Sequence, residues 1–311
     1  MRILVVGAGS VGGYFGGRLL QAGRDVTFLV RPARAASLAA AGLRIRSPHG
    51  DADLPHPPVV LAEVLHQTFD LILLSCKAYD LGNAIESFAP AVGPGTLVLP
   101  LLNGMRHLDV LDGRFGAARV LGGKCQIAAT LSPAGEVLHL GDIQTLTFGE
   151  RQGGISGRVR AIESELSGAV FSAQASPRIL LEMWEKWVFL ATLAAGTGLM
   201  RASVGEIVQA PGGAAFLLAL LAECAAISQA HGYSAREETL QRATALLAAA
   251  GSPLTASMFR DVERHAPTEA DHILGDLIDR RGPRPGVCLL DVAYVHLKAY
   301  EARRLQSLPP V

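Results

Sequence analysis

Residues 2–31, RILVVGAGSVGGYFGGRLLQAGRDVTFLVR, restrict the fold of this chain more than any other stretch. They open on Ile3-Leu4-Val5-Val6, a run short enough and β-branched enough to be a strand buried on both faces. Gly7-Ala8-Gly9-Ser10-Val11-Gly12 then fits G-x-G-x-x-G, and a helix-compatible segment follows to about Ala22, with Gly23 as its stop. A second apolar run, Val26 to Val30, completes a βαβ unit of dinucleotide-binding type. In that reading Gly7 permits the tight turn off the strand, Gly9 leaves room for a pyrophosphate, and Gly12 lets helix and strand approach closely. The anion belongs at the helix N-terminus, where unpaired N–H groups and the helix dipole favour negative charge. Gly7, Gly9, Ser10, Val11 and Gly12 are therefore the candidate cofactor contacts.

The end of the second strand bears on which dinucleotide is bound. An NAD site usually carries an acid there for the ribose 2′-hydroxyl, whereas this chain has Val30-Arg31-Pro32-Ala33-Arg34 and keeps Asp25 at the opposite end. Two guanidiniums, Arg31 and Arg34, suit a 2′-phosphate, so the expected cofactor is NADP. A plain exposed basic loop is the competing reading.

The alternation of strand and helix continues downstream. Gly42 to Pro58 reads as loops and short strands, Phe69 to Ser75 as another buried parallel strand, and Leu81 to Ala89 as a helix. Gly93-Pro94-Gly95 reads as a turn into a strand over Thr96 to Leu101. This pattern implies an α/β fold, a Rossmann-type doubly wound sheet, in which ligands bind beyond the carboxyl ends of the strands. Lys77 and Asn103 stand just past two such ends and are candidate ligand contacts.

Gly123 to Gly149 adds short β-like runs, Arg158 to Ser167 a helix, and Ser172 to Pro177 a boundary. Beyond it the spacing predicts helices over Arg178–Leu193, Val204–Gln209, Ala214–His231, Ala235–Ala250 and Asp291–Leu305. The expected organisation is an NADP-binding domain over residues 1–175 and an all-helical substrate and catalytic domain over 176–311. Arg280 to Gly286 reads as a basic turn between helices.

Composition narrows the partners. Lys+Arg and Asp+Glu each total 28, which leaves no basic surplus for nucleic acid. Cys76, Cys125, Cys224 and Cys288 are scattered without a C-x-x-C pair, arguing against a zinc site or a disulfide framework. The most apolar stretch, Ala214 to Ile227, contains Glu223 and is short for a bilayer, so no membrane partner is expected. A cytoplasmic enzyme with reduced thiols is the simplest reading. The alanine- and leucine-rich helices suit a homodimer interface or an internal core equally.

Hydride transfer to a carbonyl needs a proton donor for the forming alkoxide. Within Glu182 to Phe189, Lys186 is the only cation among largely apolar neighbours, a setting that lowers a lysine pKa toward the working range. Glu182 and Lys186 are also four apart, the spacing of a routine surface ion pair.

Taken together, Gly7 to Gly12, Val30-Arg31, Ser75-Cys76-Lys77-Ala78, Leu101 to Met105, Glu185-Lys186-Trp187, Ala202 to Ile207 and Ser257 to Asp261 with Pro267-Thr268-Glu269 resemble the ketopantoate reductase (2-dehydropantoate 2-reductase) family. The resemblance runs over nearly the whole chain. It implies NADPH-dependent reduction of a 2-oxo acid, most simply 2-dehydropantoate to pantoate in pantothenate biosynthesis. It also implies that Arg31 meets the 2′-phosphate, and that Lys77 and Asn103 line the cofactor and nicotinamide side. By the same resemblance Asn103 and Ser257 touch substrate, Lys186 is the general acid, and Glu269 holds the substrate hydroxyl and helps orient the lysine.

The chain departs from the family where its best-known members carry two substrate-binding asparagines, four and eight residues after the lysine. Here Leu190 and Ala194 stand there, and neither side chain can hydrogen-bond a substrate. Gln126, Thr192 and Thr197 are candidate replacements; otherwise the substrate is a different oxo acid. A catalytically silent NADP-binding redox sensor is a third reading, weakened by the retention of Lys186 and Glu269. His265 and His272 read as caps or surface residues, Cys76 as a buried thiol, and no metal site is expected.

Overall fold

The computed structural model describes residues 1–283 and 286–306, so Arg284 and Pro285 of the expected basic turn lie outside the described residues. The chain divides into two compact units. One comprises Met1–Leu102 and His107–Leu180; the other comprises Asn103–Arg106 and the chain from Leu181 onward. The division at 180/181 comes five residues later than the sequence suggests, because Ser172–Ala175 is a strand of the first unit. Its Ser-Ala-Gln-Ala composition carries none of the β-branched signal that marks the other strands.

The first unit runs β1 (Ile3–Val6), α1 (Ser10–Gln21), β2 (Val26–Leu29), α2 (Pro32–Ala41), β3 (Leu43–Arg46), β4 (Ala52–Leu54), β5 (Val59–Val60), β6 (Phe69–Leu74), α3 (Leu81–Phe88) and β7 (Val92–Pro100). It continues with α4 (Arg106–Phe115), whose first residue belongs to the other unit, then β8 (Gly122–Leu131), β9 (Val137–Gly149), α5 (Gly157–Leu166) and β10 (Ser172–Ala175). Strands β5-β2-β1-β6-β7 form a parallel sheet in that order. Gly93-Pro94-Gly95, expected as a turn, lies inside β7. A register shift in the β6–β7 pairing absorbs it, and Thr96 closes the irregularity by accepting from Gly93 N at 2.8 Å and donating to Phe69 O at 2.5 Å.

A second sheet, β10-β9-β3-β4 with β8 paired to β9, gathers strands from both ends of the unit. Helix α1 packs against both sheets, which explains its glycines. A Cβ on Gly16 would lie 2.6 Å from the Phe28 ring, and one on Gly17 would lie 2.8 Å from Ile45. Each glycine costs helix propensity of about 0.5–1 kcal/mol, offset here by the approach of two sheets to one helix. Ile3, Val5, Phe15, Phe28, Leu43, Ile45, Leu146 and Phe148 are buried in the resulting core.

The second unit is helical: α6 (Ile179–Met200, whose first two residues belong to the first unit), α7 (Val204–Gln209), α8 (Gly213–Ala230), α9 (Glu237–Leu247), α10 (Ser257–Glu263), a π-helix over Asp271–Gly275, α11 (Asp276–Arg281) and α12 (Leu289–Gln306). Helix α8 has the length and apolarity of a membrane span, yet packs against α7, α9, α11 and α12. Its one acid serves the fold: Glu223 accepts from Leu289 N at 3.2 Å and Leu290 N at 3.1 Å, capping α12.

Candidate active site

The carboxyl edge of the parallel sheet is even. Val6 is in register with Leu29 and Leu74, and Leu74 with Pro100, so Gly7, Val30, Ser75 and Leu101 start the loops side by side. Gly7 takes a left-handed φ of +93°, turning the chain from β1 into α1. A Cβ at Gly12 would lie 2.1 Å from Gly7 O and 2.1 Å from Ser75 Oγ, whereas one at Gly9 would meet nothing within 4 Å. Gly12 thus closes helix onto strand, and Gly9 presents bare backbone to open space. Helix α1 begins at Ser10 without a side-chain cap and without an acid in its first turn. Its first N–H groups therefore suit an anion, and the loop fits the pyrophosphate of a dinucleotide.

Two residues outside the motif brace this loop. The Ser75 hydroxyl hydrogen-bonds to Val6 O at 2.8 Å and Gly7 O at 3.1 Å. Arg34 donates from Nε to Ala8 O at 3.0 Å and from Nη1 to Gly135 O at 3.1 Å. Arg34, the second guanidinium expected to suit a 2′-phosphate, gives Nε and Nη1 to these backbone carbonyls and keeps its Nη2 buried without a hydrogen-bond partner among the described residues. Burial also lowers its pKa. Arg31 caps the start of α2, is largely exposed, and pairs with Asp80 Oδ1 at 2.7 Å. Lys77 follows β6 at the start of a short 3₁₀ turn and is half-buried.

In the second unit, Lys186 Nζ donates to Asn103 Oδ1 at 2.8 Å. Asn103 follows β7 after Leu101 and Leu102, and Lys186 lies in the first half of α6 between the buried Glu185 and Trp187. Glu185 anchors that helix. It accepts from Arg236 N at 2.9 Å and Arg236 Nε at 2.8 Å, from Arg236 Nη2, and from Thr239 Oγ1 at 3.2 Å. Burial pushes the Glu185 carboxyl up, but Arg236 outweighs it and holds the group below the usual carboxylate range. Trp187 Nε1 donates to Ile273 O at 2.9 Å, tying α6 to the π-helix.

Glu269 enters that π-helix: its carbonyl accepts from His272 N at 3.1 Å and Ile273 N at 2.9 Å. His272 departs from its expected surface role. It is only 7% exposed, its ring hydrogen-bonds to the Asn103 backbone, and Glu269 and Asp276 act on it electrostatically. The π-turn widens the helix and turns this position inward, which helical spacing in the sequence does not disclose. Lys186, Asn103, His272 and Glu269 thus come together from three distant segments. Ser257 stands in the first turn of α10, exposed and with no hydrogen-bonding partner among the described residues; the cap is Ala256, not the serine.

A family model for "Ketopantoate reductase PanE/ApbA" matches residues 3–153, and one for its C-terminal part matches 178–289. The chain belongs to the ketopantoate reductase family. It is accordingly an oxidoreductase acting on CH–OH groups. An uncharacterized oxidoreductase, YkpB, of Bacillus subtilis (strain 168) is 35% identical over 98% of this chain and 100% of its own. The solved 2-dehydropantoate 2-reductase from Methylococcus capsulatus superposes with TM-score 0.86 at 27% identity, covering 99% of both chains. D-Mandelate dehydrogenase, solved with NADH and anilino(oxo)acetate, shares the fold at TM-score 0.86 and 23% identity over 98% of this chain and 100% of its own. Within this ketopantoate reductase homologue, Ser75, Arg34, Trp187 and His272 are supporting residues whose bracing roles motif reading does not give. Ser75 and Trp187 carried a signal by lying in the motifs of Lys77 and Lys186, and Arg34 by its basic charge at the end of the second strand.

Proposed function

We propose that this protein uses NADPH to reduce a 2-oxo acid to the 2-hydroxy acid, with 2-dehydropantoate as the first substrate to test and pantothenate biosynthesis in the cytoplasm as its place. Bound cofactor supplies the hydride. Gly7, Gly9, Ser10, Val11 and Gly12 hold its pyrophosphate, Arg31 its 2′-phosphate, and Lys77 and Asn103 its further contacts. Lys186 delivers the proton to the alkoxide oxygen, Asn103 fixes the amine, and Glu269 and Ser257 hold the substrate. The observation that carries this reading is the 2.8 Å bond from Lys186 to Asn103, which presents a cation from a largely apolar helix.

A second reading concerns the substrate. Leu190 and Ala194 follow Lys186 by one and two turns on the same side of α6, where the sequence resemblance leads to asparagines. An apolar wall there favours a 2-oxo acid whose side chain carries no hydroxyl. The test is steady-state NADPH and NADH oxidation with 2-dehydropantoate beside branched and aromatic 2-oxo acids. Turnover of 2-dehydropantoate above the others supports the first reading. Turnover of an apolar acid alone supports the second, and no turnover with cofactor bound rejects both.

A further inference from the structure

The function above leaves the buried imidazole of His272 unused. His272 is enclosed in the second unit, and its ring lies against the Asn103–Gly104 turn. A Cβ placed on Gly104 would lie 3.1 Å from the imidazole Cδ2, 3.4 Å from Nε2 and 3.0 Å from the His272 carbonyl oxygen. Gly104 has a φ of +75°, so a glycine serves both the turn and the close approach of the ring. The imidazole N–H donates to the backbone carbonyl of Asn103, the residue whose side chain receives the Lys186 ammonium.

The π-helix supplies the placement. Its widened turn, closed by Asp276 N on Asp271 O, directs His272 inward, and the Ile273 carbonyl of the same turn takes the Trp187 indole. Three links therefore close a loop: Lys186 to Asn103, Asn103 to His272, and the His272–Ile273 turn back to Trp187 beside Lys186. We propose that His272 is a positioning residue, holding the Asn103 backbone so that its carboxamide keeps the Lys186 amine in one orientation. Glu269, Asp276 and Arg106 are the charged groups that face the ring. Burial is the largest influence on its pKa and lowers it, so near neutral pH the ring is uncharged and donates from one nitrogen.

The inference rests on the proposed role of Lys186, so its test includes a readout that needs no substrate. His272→Phe removes the donor and keeps a ring; His272→Gln keeps a donor. The pH dependence of Lys186 acylation by a small amine reagent, followed by peptide mass spectrometry, reports the state of the amine in each. Loss of a fixed carbonyl partner destabilises the ammonium, so the midpoint in His272→Phe shifts to lower pH by about half a unit, and His272→Gln returns toward wild type. With an accepted oxo acid, kcat falls about tenfold in His272→Phe while KM for NADPH stays constant. An unshifted midpoint in His272→Phe, whatever its melting temperature, overturns the proposal. So does an equal shift in both variants, which assigns His272 to packing alone. A wild-type protein that turns over no oxo acid counts against the proposed function and leaves the acylation profiles to decide the role of His272.

Discussion

The phosphate loop and the lysine cluster are built on opposite principles. The loop is local: Gly7 to Gly12 lie together in the chain, and every steric demand on them arises within a few residues or from the adjoining strand end at Ser75. The lysine cluster is assembled from afar. Lys186 and Asn103 are separated by 83 positions, and Trp187 and Ile273 by 86. A loop of the first kind tolerates little change at its glycines and much around them. A cluster of the second kind depends on anchors, such as Glu185, that have no chemistry of their own.

Gly12→Ala tests the local half most severely. Its Cβ would fall 2.1 Å from a backbone oxygen, a clash that rotamer adjustment cannot relieve. The expected result is a loss of about 1–3 kcal/mol of stability with dinucleotide binding abolished, read by thermal melting and by calorimetric titration with NADPH. Tight binding by the folded variant would show that helix and strand need not approach so closely.

Glu185→Gln probes the distributed half. Removing the charge leaves the Arg236 guanidinium without its counter-ion, though that guanidinium is 47% exposed and solvent softens the loss to about 1–2 kcal/mol. The sign with pH follows from the folded-state pKa being lowered. The ion pair stabilises the protein above the unfolded carboxylate pKa, and the contribution fades as pH falls through the folded value. The wild type should therefore lose stability on acidification more steeply than the glutamine variant. Parallel curves would remove Glu185 as an anchor of the helix that carries Lys186.

Asp80→Asn is the mildest test. Asp80 neutralises Arg31 in the structure, and under the proposed NADP reading a 2′-phosphate competes with it. Freeing Arg31 should lower KM for NADPH severalfold and leave KM for NADH unchanged, and equal effects on both would detach Arg31 from cofactor choice.

The same contrast governs what the sequence discloses. Strands β1, β2 and β6, helix α1 and the glycine loop are legible because their signals are periodic and contiguous. The Gly93-Pro94-Gly95 stretch misleads, since a register shift accommodates residues that ordinarily end strands. Strand β10 is hidden by its small polar residues, and the pairing of β3 with β9 joins segments about ninety residues apart. Arg34 reads in sequence only as a basic loop residue, because composition cannot show that the Ala8 and Gly135 carbonyls take its Nε and Nη1. His272 looks like a surface histidine because helical spacing does not anticipate a π-turn.

The central claim is that Lys186 is the proton donor, and NADPH oxidation by Lys186→Ala against wild type, each with the best accepted oxo acid, tests it most directly. A lost general acid predicts kcat lower by about 10²–10⁴-fold with NADPH affinity unchanged. Turnover within a few-fold of wild type would contradict the claim and return the bond between Lys186 and Asn103 to a purely structural role.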